Sequence, residues 1–250
     1  MTIQCDIIVP TYGQPEFTAK CFESIALTSQ PDQVRVIWVD NGTVRGPWKN
    51  DQHGDDIGSL MVMAEDYLTR KNFDVERVLL KENLGFVKAT NIGIAMSTAP
   101  YVLLLNNDTE LPEGWLPSLM EPFVTFPSCG VVGPRSSSKE QWQGQVPLET
   151  TPPGWRCLPR NRMLAFFCAL VKRKVFEKVG YLSEEYRLGL GDDDDFCERV
   201  QQAGFYLALR HDLTVLHHHR TTFKAVYGDN GWLEYQKENI AIFKQKYGHR

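Results

Sequence analysis

The sequence lacks the features that mark several protein classes. Its six cysteines include no CxxC pair and no other short spacing, which argues against a zinc ribbon or a disulfide framework and favours reduced thiols in a cytoplasmic protein. The longest apolar run, residues 163–171, is too short to cross a bilayer, and no basic and apolar leader opens the chain, so we expect a soluble protein without its own membrane anchor. A formal net charge of −4 gives no basic excess and disfavours nucleic acid as a partner.

The composition is that of an ordinary globular protein, with 42% hydrophobic and 23% charged residues among 250. Apolar segments of strand length alternate with helical patterns in the first half of the chain, and the strand candidates are residues 5–9, 34–39, 75–80 and 101–105. This alternation predicts an α/β fold with a mainly parallel sheet, in which ligands bind at the carboxyl ends of the strands.

Polar groups follow these predicted strands. The triplets 40–42 and 106–108 come directly after two of them, so one shared cleft is the simplest interpretation. Lys88 and Asn91 fall on a helix that would open near Gly85, where a helix N-terminus and a cation could meet one anion.

Asp108 follows a fully apolar strand and is flanked by Asn106 and Asn107. Such hard oxygen ligands suit Mg²⁺ or Mn²⁺, and a metal held there could bind a diphosphate. A turn-forming Asn-Asn-Asp that only caps the next element is the alternative.

Four adjacent carboxylates, Asp192–Asp195, precede a helical pattern. Capping of the helix accounts for one or two of them, but not for four that repel one another. Crowding of like charges raises the pKa of some members, which would prepare one as a general base near neutral pH.

Three consecutive histidines, His217–His219, follow a strand-like segment. Neighbours on a strand point to opposite faces, so at most His217 and His219 share a side. A metal ligand and a hydrogen-bonded core histidine are both open interpretations.

Between these motifs and the first half, residues 134–160 are rich in Ser, Pro, Gly and Gln and predict a long surface loop that could act as a lid.

Taken together, these motifs resemble family 2 glycosyltransferases with the A-type nucleotide-sugar (GT-A) fold, especially the rhamnosyltransferase-like branch. The resemblance spans residues 7–223, and the segments that carry it are 8–12, 39–42, 83–93, 105–108, 168–180, 192–204 and 217–222. It implies a single glycosyltransferase domain, residues 1–250, with a Rossmann-like sheet flanked by helices. Residues 1–133 would form the nucleotide-sugar-binding half, and residues 134–250 the acceptor-binding and catalytic half.

The same resemblance implies roles for individual residues. Asp193 would be the catalytic base and Asp192 would help to position the acceptor, while Asp108, His217 and His219 would bind the metal. The donor would be bound by Pro10, Thr11, Tyr12, Asp40, Asn41, Asn83, Gly85, Lys88, Asn91 and Asn107.

The implied reaction is an inverting, Mn²⁺- or Mg²⁺-dependent transfer of one sugar from a nucleotide-sugar, with a UDP-sugar expected first and a dTDP-sugar next. A glycan, a lipid-linked sugar or another hydroxyl would be the acceptor. The chain departs from the family at Asn106, which takes the first acidic position of the Asp-X-Asp motif, and at residues 182–186. It also lacks the Gln-X-X-Arg-Trp signature of processive synthases, which favours a single transfer.

Three other functions fit parts of the pattern. A sugar-nucleotide pyrophosphorylase shares a similar sheet, but residues 10–14 are not its Gly-rich, Arg-containing loop. A non-catalytic nucleotide-sugar or glycan-binding module would not need both Asp108 and Asp193. A metal hydrolase built on the acidic run and the histidines would release phosphate from simple esters without a sugar acceptor.

Overall fold

The computed structural model describes residues 3–45, 56–148, 154–160, 162–186, 189–218 and 233–248. The strands are β1 (Cys5–Thr11), β2 (Val34–Asp40), β3 (Asp74–Leu79), β4 (Tyr101–Leu105), β5 (Thr109–Glu110), β6 (Cys129–Ser136), β7 (Trp155–Cys157), β8 (Cys168–Lys172) and β9 (Tyr206–His217). The helices are α1 (Pro15–Thr28), α2 (Ile57–Ala64), α3 (Asp66–Thr69), α4 (Phe86–Met96), α5 (Trp115–Thr125), α6 (Trp142–Gln145), α7 (Arg173–Val179), α8 (Asp192–Gln202) and α9 (Leu233–Tyr247), with a 3₁₀ turn at Glu184–Tyr186.

The strands form one sheet in the order β3-β2-β1-β4-β8-β6-β9-β5, with β7 also paired to β9. The first four strands along this path are mutually parallel, as are β6 and β9. Strand β8 runs antiparallel between β4 and β6. The prediction of a single α/β domain with a mainly parallel sheet is confirmed, and the four strands expected in the first half are all present.

Helices cover both faces of the sheet because its central strands are apolar on both sides. Ile7 and Ile8 are adjacent in β1 and fully buried, yet they belong to different clusters of core side chains. Neighbouring side chains of a strand point to opposite faces, so each cluster fills one side of the sheet. Helix α1 packs into the first cluster, and α4 and α8 into the second.

The expected loop at residues 134–160 is only partly a loop. Residues 134–136 belong to β6, which is buried, and the stretch also contains α6 and β7. The pairing of β6 with β9 shifts register between Pro134 and Arg135. A proline, which has no N–H to donate, is accommodated at such an irregularity. Pro134 therefore marks an irregularity within β6 rather than the end of the strand.

Among the described helices, none combines the length and the apolar character needed to cross a membrane.

Candidate active site

The ends of β1 and β2 are joined through the buried carboxylate of Asp40. Its Oδ2 accepts a hydrogen bond from the Val44 N–H at 2.8 Å, and its Oδ1 accepts from the Thr43 N–H at 3.2 Å and from the Thr11 hydroxyl at 3.4 Å. Burial raises the pKa of Asp40, and the backbone N–H groups oppose that shift. The carboxylate thus fixes the turn after β2. Pro10 lies within β1, and Tyr12 directly follows it.

A second set of amide contacts ties the end of β2 to the start of α4. The Asn41 side chain donates to Asn83 Oδ1 at 2.7 Å and accepts from the Leu84 N–H at 2.8 Å. Asn83 Oδ1 also accepts from the Gly85 N–H at 2.8 Å. Gly42 allows this approach, because a Cβ there would lie 2.6 Å from a backbone carbon of Glu82, and its φ is +96°.

Helix α4 presents Lys88 and Asn91 beside the 3₁₀ turn. Lys88 Nζ is half exposed and lies 4.0 Å from Glu184 Oε2. The Asn91 amide makes two hydrogen bonds with the backbone of Leu182, at 2.9 and 3.0 Å. Asn91 thus holds the segment before the acidic run, while Lys88 is accessible to an anion.

Asp108 and His217 lie together at the far end of β4. Strand β5 pairs antiparallel with β9, so that Thr109 is opposite His217. His217 Nε2 is 3.3 Å from Asp108 Oδ1, and the two side chains are 2% and 7% exposed. The tertiary structure has brought the predicted carboxylate and one predicted histidine into one buried pair.

The other two histidines of the triplet have different outcomes. His218 Nε2 lies 3.1 Å from Glu110 Oε1, on the surface side of the strand. His219 lies outside the described residues. Asn107 is directed to helix α1, where its amide donates to the Thr18 hydroxyl at 3.0 Å.

The donor atoms near Asp108 fit a hard divalent cation. The 3.3 Å between Asp108 Oδ1 and His217 Nε2 is less than twice a metal–ligand distance of about 2.1 Å, so both atoms could bind one ion. Asn106 Oδ1, two residues earlier, is a buried acceptor without a hydrogen-bond partner in the described part of the chain. A group of three His, Cys, Asp or Glu side chains able to hold a metal is not found among the described residues, so further ligands would come from water or substrate phosphate.

The acidic run begins helix α8, and its carboxylates have pKa values that are shifted in opposite directions. Burial, together with the charge of Asp194, raises the pKa of Asp192 to about 7. Burial and the charges of Asp194 and Asp192 raise the pKa of Asp193 well above its usual range. Asp192 can therefore gain or lose a proton near neutral pH, and Asp193 is a stronger base than an exposed aspartate.

Asp195 is instead held ionised by three donors. Its Oδ2 accepts from Arg199 Nε at 2.8 Å, and its Oδ1 accepts from Lys246 Nζ at 2.7 Å and from the Tyr247 hydroxyl at 2.8 Å. Burial by itself would raise the pKa of Asp195, but these hydrogen bonds outweigh it and lower the pKa. Asp195 thus anchors the C-terminal helix α9 to the acidic run.

The acidic run also lies near the donor-side elements. A Cβ placed on Gly189 would lie 3.4 Å from Asp192 Oδ1 and 3.5 Å from the ring of Phe86, the first residue of α4. Gly189 is itself held by α9, since Asn239 donates to its carbonyl at 2.6 Å. Asp192 therefore lies close to the N-terminus of α4, which the Asn41 and Asn83 contacts join to β2.

Several side chains of this region were not singled out from the sequence. Gln141 and Phe167 contact His217, Lys246 and Tyr247 contact Asp195, and the hydroxyl of Tyr186 is buried without a hydrogen-bond partner among the described residues. A glutamine or an aromatic residue far away in sequence carries no local signal for such a contact, because sheet pairing and helix docking create it.

Comparison with known proteins agrees with this geometry. The family model described as "Glycosyl transferase family 2" matches residues 58–180. Pre-mycofactocin glycosyltransferase of Mycobacterium tuberculosis is 27% identical over 189 residues, covering 69% of this chain and 40% of that protein. The chain thus spans less than half of the length of this curated relative.

Solved structures share the fold at low identity. The mannosyltransferase PcManGT of Pyrobaculum calidifontis, in complex with GDP-Man and Mn²⁺, has a TM-score of 0.66 at 16% identity, covering 96% of this chain and 65% of that one. GalNAc-T7 with UDP, GalNAc and Mn²⁺ has a TM-score of 0.64 at 12% identity, covering 86% of this chain and 43% of that one. The fold of this chain is therefore of the kind found in these transferases.

Proposed function

Because this chain belongs to glycosyl transferase family 2, we propose that it moves one sugar from a nucleotide-sugar to a hydroxyl acceptor with inversion at the anomeric carbon. The observation that carries the proposal is the separation of two acidic sites. The Asp108–His217 pair follows β4 and β9, while Asp192 and Asp193 start α8 beside the opening of α4. The first site suits a metal ion that binds a diphosphate, and the second suits a proton transfer.

Asp193 is the base in this proposal. Its pKa is raised by burial and by the neighbouring carboxylates, which makes it a stronger base than an exposed aspartate. As the acceptor oxygen bonds to the anomeric carbon, its proton passes to Asp193. The bond from that carbon to the diphosphate oxygen breaks, and the diphosphate leaves with the electron pair. Asp192, next to Phe86, would orient the acceptor hydroxyl.

Asp108 and His217 would hold the divalent cation, Mn²⁺ or Mg²⁺, with His219 as the further ligand that the sequence suggests. Such an ion supplies a Lewis acid for the charge on the departing diphosphate. Lys88, half exposed near the N-terminus of α4, would add positive potential for the same phosphates.

The donor-binding residues would lie at the ends of β1 and β2 and before α4. Thr11, Asp40, Asn41, Asn83 and Gly85 already form one connected set of hydrogen bonds. The walls of the donor-binding cleft would be completed by Pro10, Tyr12, Asn91 and Asn107. A UDP-sugar is the donor we expect first and a dTDP-sugar next; GalNAc-T7, with UDP and Mn²⁺ bound, supports the first. The acceptor would be a glycan, a lipid-linked sugar or another hydroxyl.

The experiment is a panel of nucleotide-sugars assayed for nucleoside diphosphate release with Mn²⁺, with and without candidate acceptors. We expect metal-dependent release that rises when the acceptor is added. Asp193→Asn should lower turnover about 100-fold or more while Mn²⁺ affinity stays the same, and Asp108→Asn should lower Mn²⁺ affinity. Asp66→Asn, an exposed ion-pair variant on α3, is the matched control.

Undiminished turnover in Asp193→Asn would remove the base assignment. Donor binding by the unaltered protein without turnover of any nucleotide-sugar would indicate a binding module instead.

A further inference from the structure

The candidate metal histidine has a second ring nitrogen, and that nitrogen is engaged by the segment that follows β6. His217 Nδ1 lies 3.0 Å from Gln141 Oε1, across 76 positions of the chain. The residue after Asp108 pairs with His217 in the sheet, so the same imidazole contacts Asp108 on one side and Gln141 on the other.

The two distances indicate which nitrogen carries the proton. The 3.0 Å between Nδ1 and Gln141 Oε1 is an ordinary N–H···O length. The 3.3 Å between Nε2 and Asp108 Oδ1 is long for an N–H donor facing a carboxylate, where about 2.7–2.9 Å is typical. Protonation at Nδ1 leaves a lone pair on Nε2 that faces the carboxylate, and two acceptors in that arrangement favour a cation between them.

Other contacts fix the ring in this orientation. Phe167 stacks on His217 with a centroid distance of 4.8 Å and an interplanar angle of 10°. The His217 N–H donates to the Ser137 hydroxyl at 2.9 Å, and the Ser137 N–H donates to the Val215 carbonyl at 2.9 Å. The imidazole plane is therefore set by these neighbours, and Gln141 Oε1 faces its Nδ1.

Gln141 is presented by a tightly folded segment. The Gly144 N–H donates to the Gln141 carbonyl at 3.0 Å, and a Cβ on Gly144 would lie 1.8 Å from the Ser138 carbonyl oxygen. Only glycine fits there without moving the backbone. The segment before α6 is thus held in one shape by its own contacts, which aims the Gln141 side chain at the histidine.

We propose that Gln141 is a positioning residue for His217: its amide oxygen accepts the Nδ1 proton and so directs the Nε2 lone pair toward Asp108 as a metal ligand. The metal role rests on the proposed function, whereas the tautomer does not. Outer-shell acceptors of this kind typically contribute about 10- to 100-fold to metal affinity.

The test uses the full chain labelled with ¹⁵N-histidine and two readouts. Long-range ¹H–¹⁵N correlation of the metal-free protein reports the tautomer of His217, whose signals are assigned by their loss in His217→Asn. Mn²⁺ titration followed by electron paramagnetic resonance reports affinity. We expect His217 of the unaltered protein to be protonated at Nδ1.

Three variants separate the acceptor from the bulk of the side chain. Gln141→Leu removes the acceptor. It should therefore allow His217 to adopt the other tautomer and should lower Mn²⁺ affinity about 10- to 100-fold. Gln141→Glu keeps an acceptor oxygen and should retain both properties. Gln145→Leu is the control, because Gln145 lies in α6, the short helix that directly follows Gln141, but donates to the Lys139 carbonyl at the exposed surface.

Each outcome decides between the alternatives. Protonation of His217 at Nε2 in the unaltered protein would overturn the proposal whether or not any variant folds. So would an unchanged tautomer in folded Gln141→Leu. A tautomer that changes in Gln141→Leu while the unaltered protein binds no Mn²⁺ would refute the metal site of the proposed function and leave the positioning role intact.

Discussion

Replacing Asp192 by asparagine should stabilise the protein, and the gain should increase with pH. Asp192 is 3% exposed, and burial together with the charge of Asp194 raises its pKa from 3.8 to about 7. A carboxyl whose pKa is higher in the folded state binds its proton more tightly there. Such a carboxyl does not lower the free energy of unfolding below the pKa of the unfolded state. It lowers that free energy by the full amount once the pH exceeds the pKa of the folded state.

The size of the effect follows from that shift. Each pKa unit corresponds to roughly 1.4 kcal/mol, so the ionised Asp192 costs up to about 4 kcal/mol at pH 8. The advantage of Asp192→Asn should be below about 1 kcal/mol at pH 4 and grow by roughly 1.4 kcal/mol per pH unit up to pH 7. Urea unfolding at a series of pH values measures the free energy directly.

Asp195→Asn provides a control of opposite sign in the same run. Asp195 has a lowered pKa because Lys246, Arg199 and Tyr247 outweigh the effect of burial. Its contribution to stability is present above the usual carboxyl pKa and is lost as the pH falls through the folded pKa. Asp195→Asn should therefore destabilise the protein at pH 8, by roughly 1.5–3 kcal/mol for one charge-assisted hydrogen bond, and this loss should shrink only below about pH 4, as the pH falls through the lowered folded pKa.

Two results would refute this reasoning. One is a gain in Asp192→Asn that does not depend on pH, because the carboxylate would then not be the source of the cost. The other is an Asp195→Asn variant that is more stable than the parent at pH 8, since that would mean that the three donors do not compensate the buried charge.

Three further changes test other parts of the structure. Gly93→Ala should lower the free energy of unfolding by about 1–3 kcal/mol in urea, because the new Cβ would lie 2.4 Å from Ile8 Cγ2; Ile8→Ala in the same chain should recover part of the loss. Turnover should rise with pH over a range above that of an ordinary carboxyl, since Asp193 has a raised pKa and must be ionised to act, and a flat pH profile would contradict its role. Lys246→Met with Tyr247→Phe should speed hydrogen exchange across α9, because both side chains bond Asp195; unchanged exchange would show that α9 is held by other contacts.

Much of the fold could be predicted from the sequence because it depends on local patterns of apolar residues. The apolar segments at 5–9, 34–39 and 101–105 became β1, β2 and β4, since a strand buried on both faces needs a mostly apolar run. The same alternation of strands and helices predicted the parallel arrangement and the common edge at which Thr11, Asp40 and Asn106 now lie.

The rest of the fold could not be predicted from the sequence, because it depends on which distant segments of the chain pair in the sheet. Nothing in residues 134–136 alone shows that they extend a buried strand, because their partners in β9, Arg210, Thr214 and Val215, lie 76 to 79 positions later in the chain. The antiparallel insertion of β8 between β4 and β6 is a choice of sheet topology and not of local propensity.

The sequence by itself determined the chemical types at this site: a carboxylate after β4, histidines at the end of β9 and crowded aspartates at the start of α8. Only the tertiary structure decided their partners. Pairing of β5 with β9 placed His217 beside Asp108, and the segment before α6 supplied Gln141. Helix α9 supplied two of the three donors that distinguish Asp195 from its neighbours, and Arg199 of α8 supplied the third. The reason is that residue type sets which protons and lone pairs exist, whereas burial and long-range contacts set their energies.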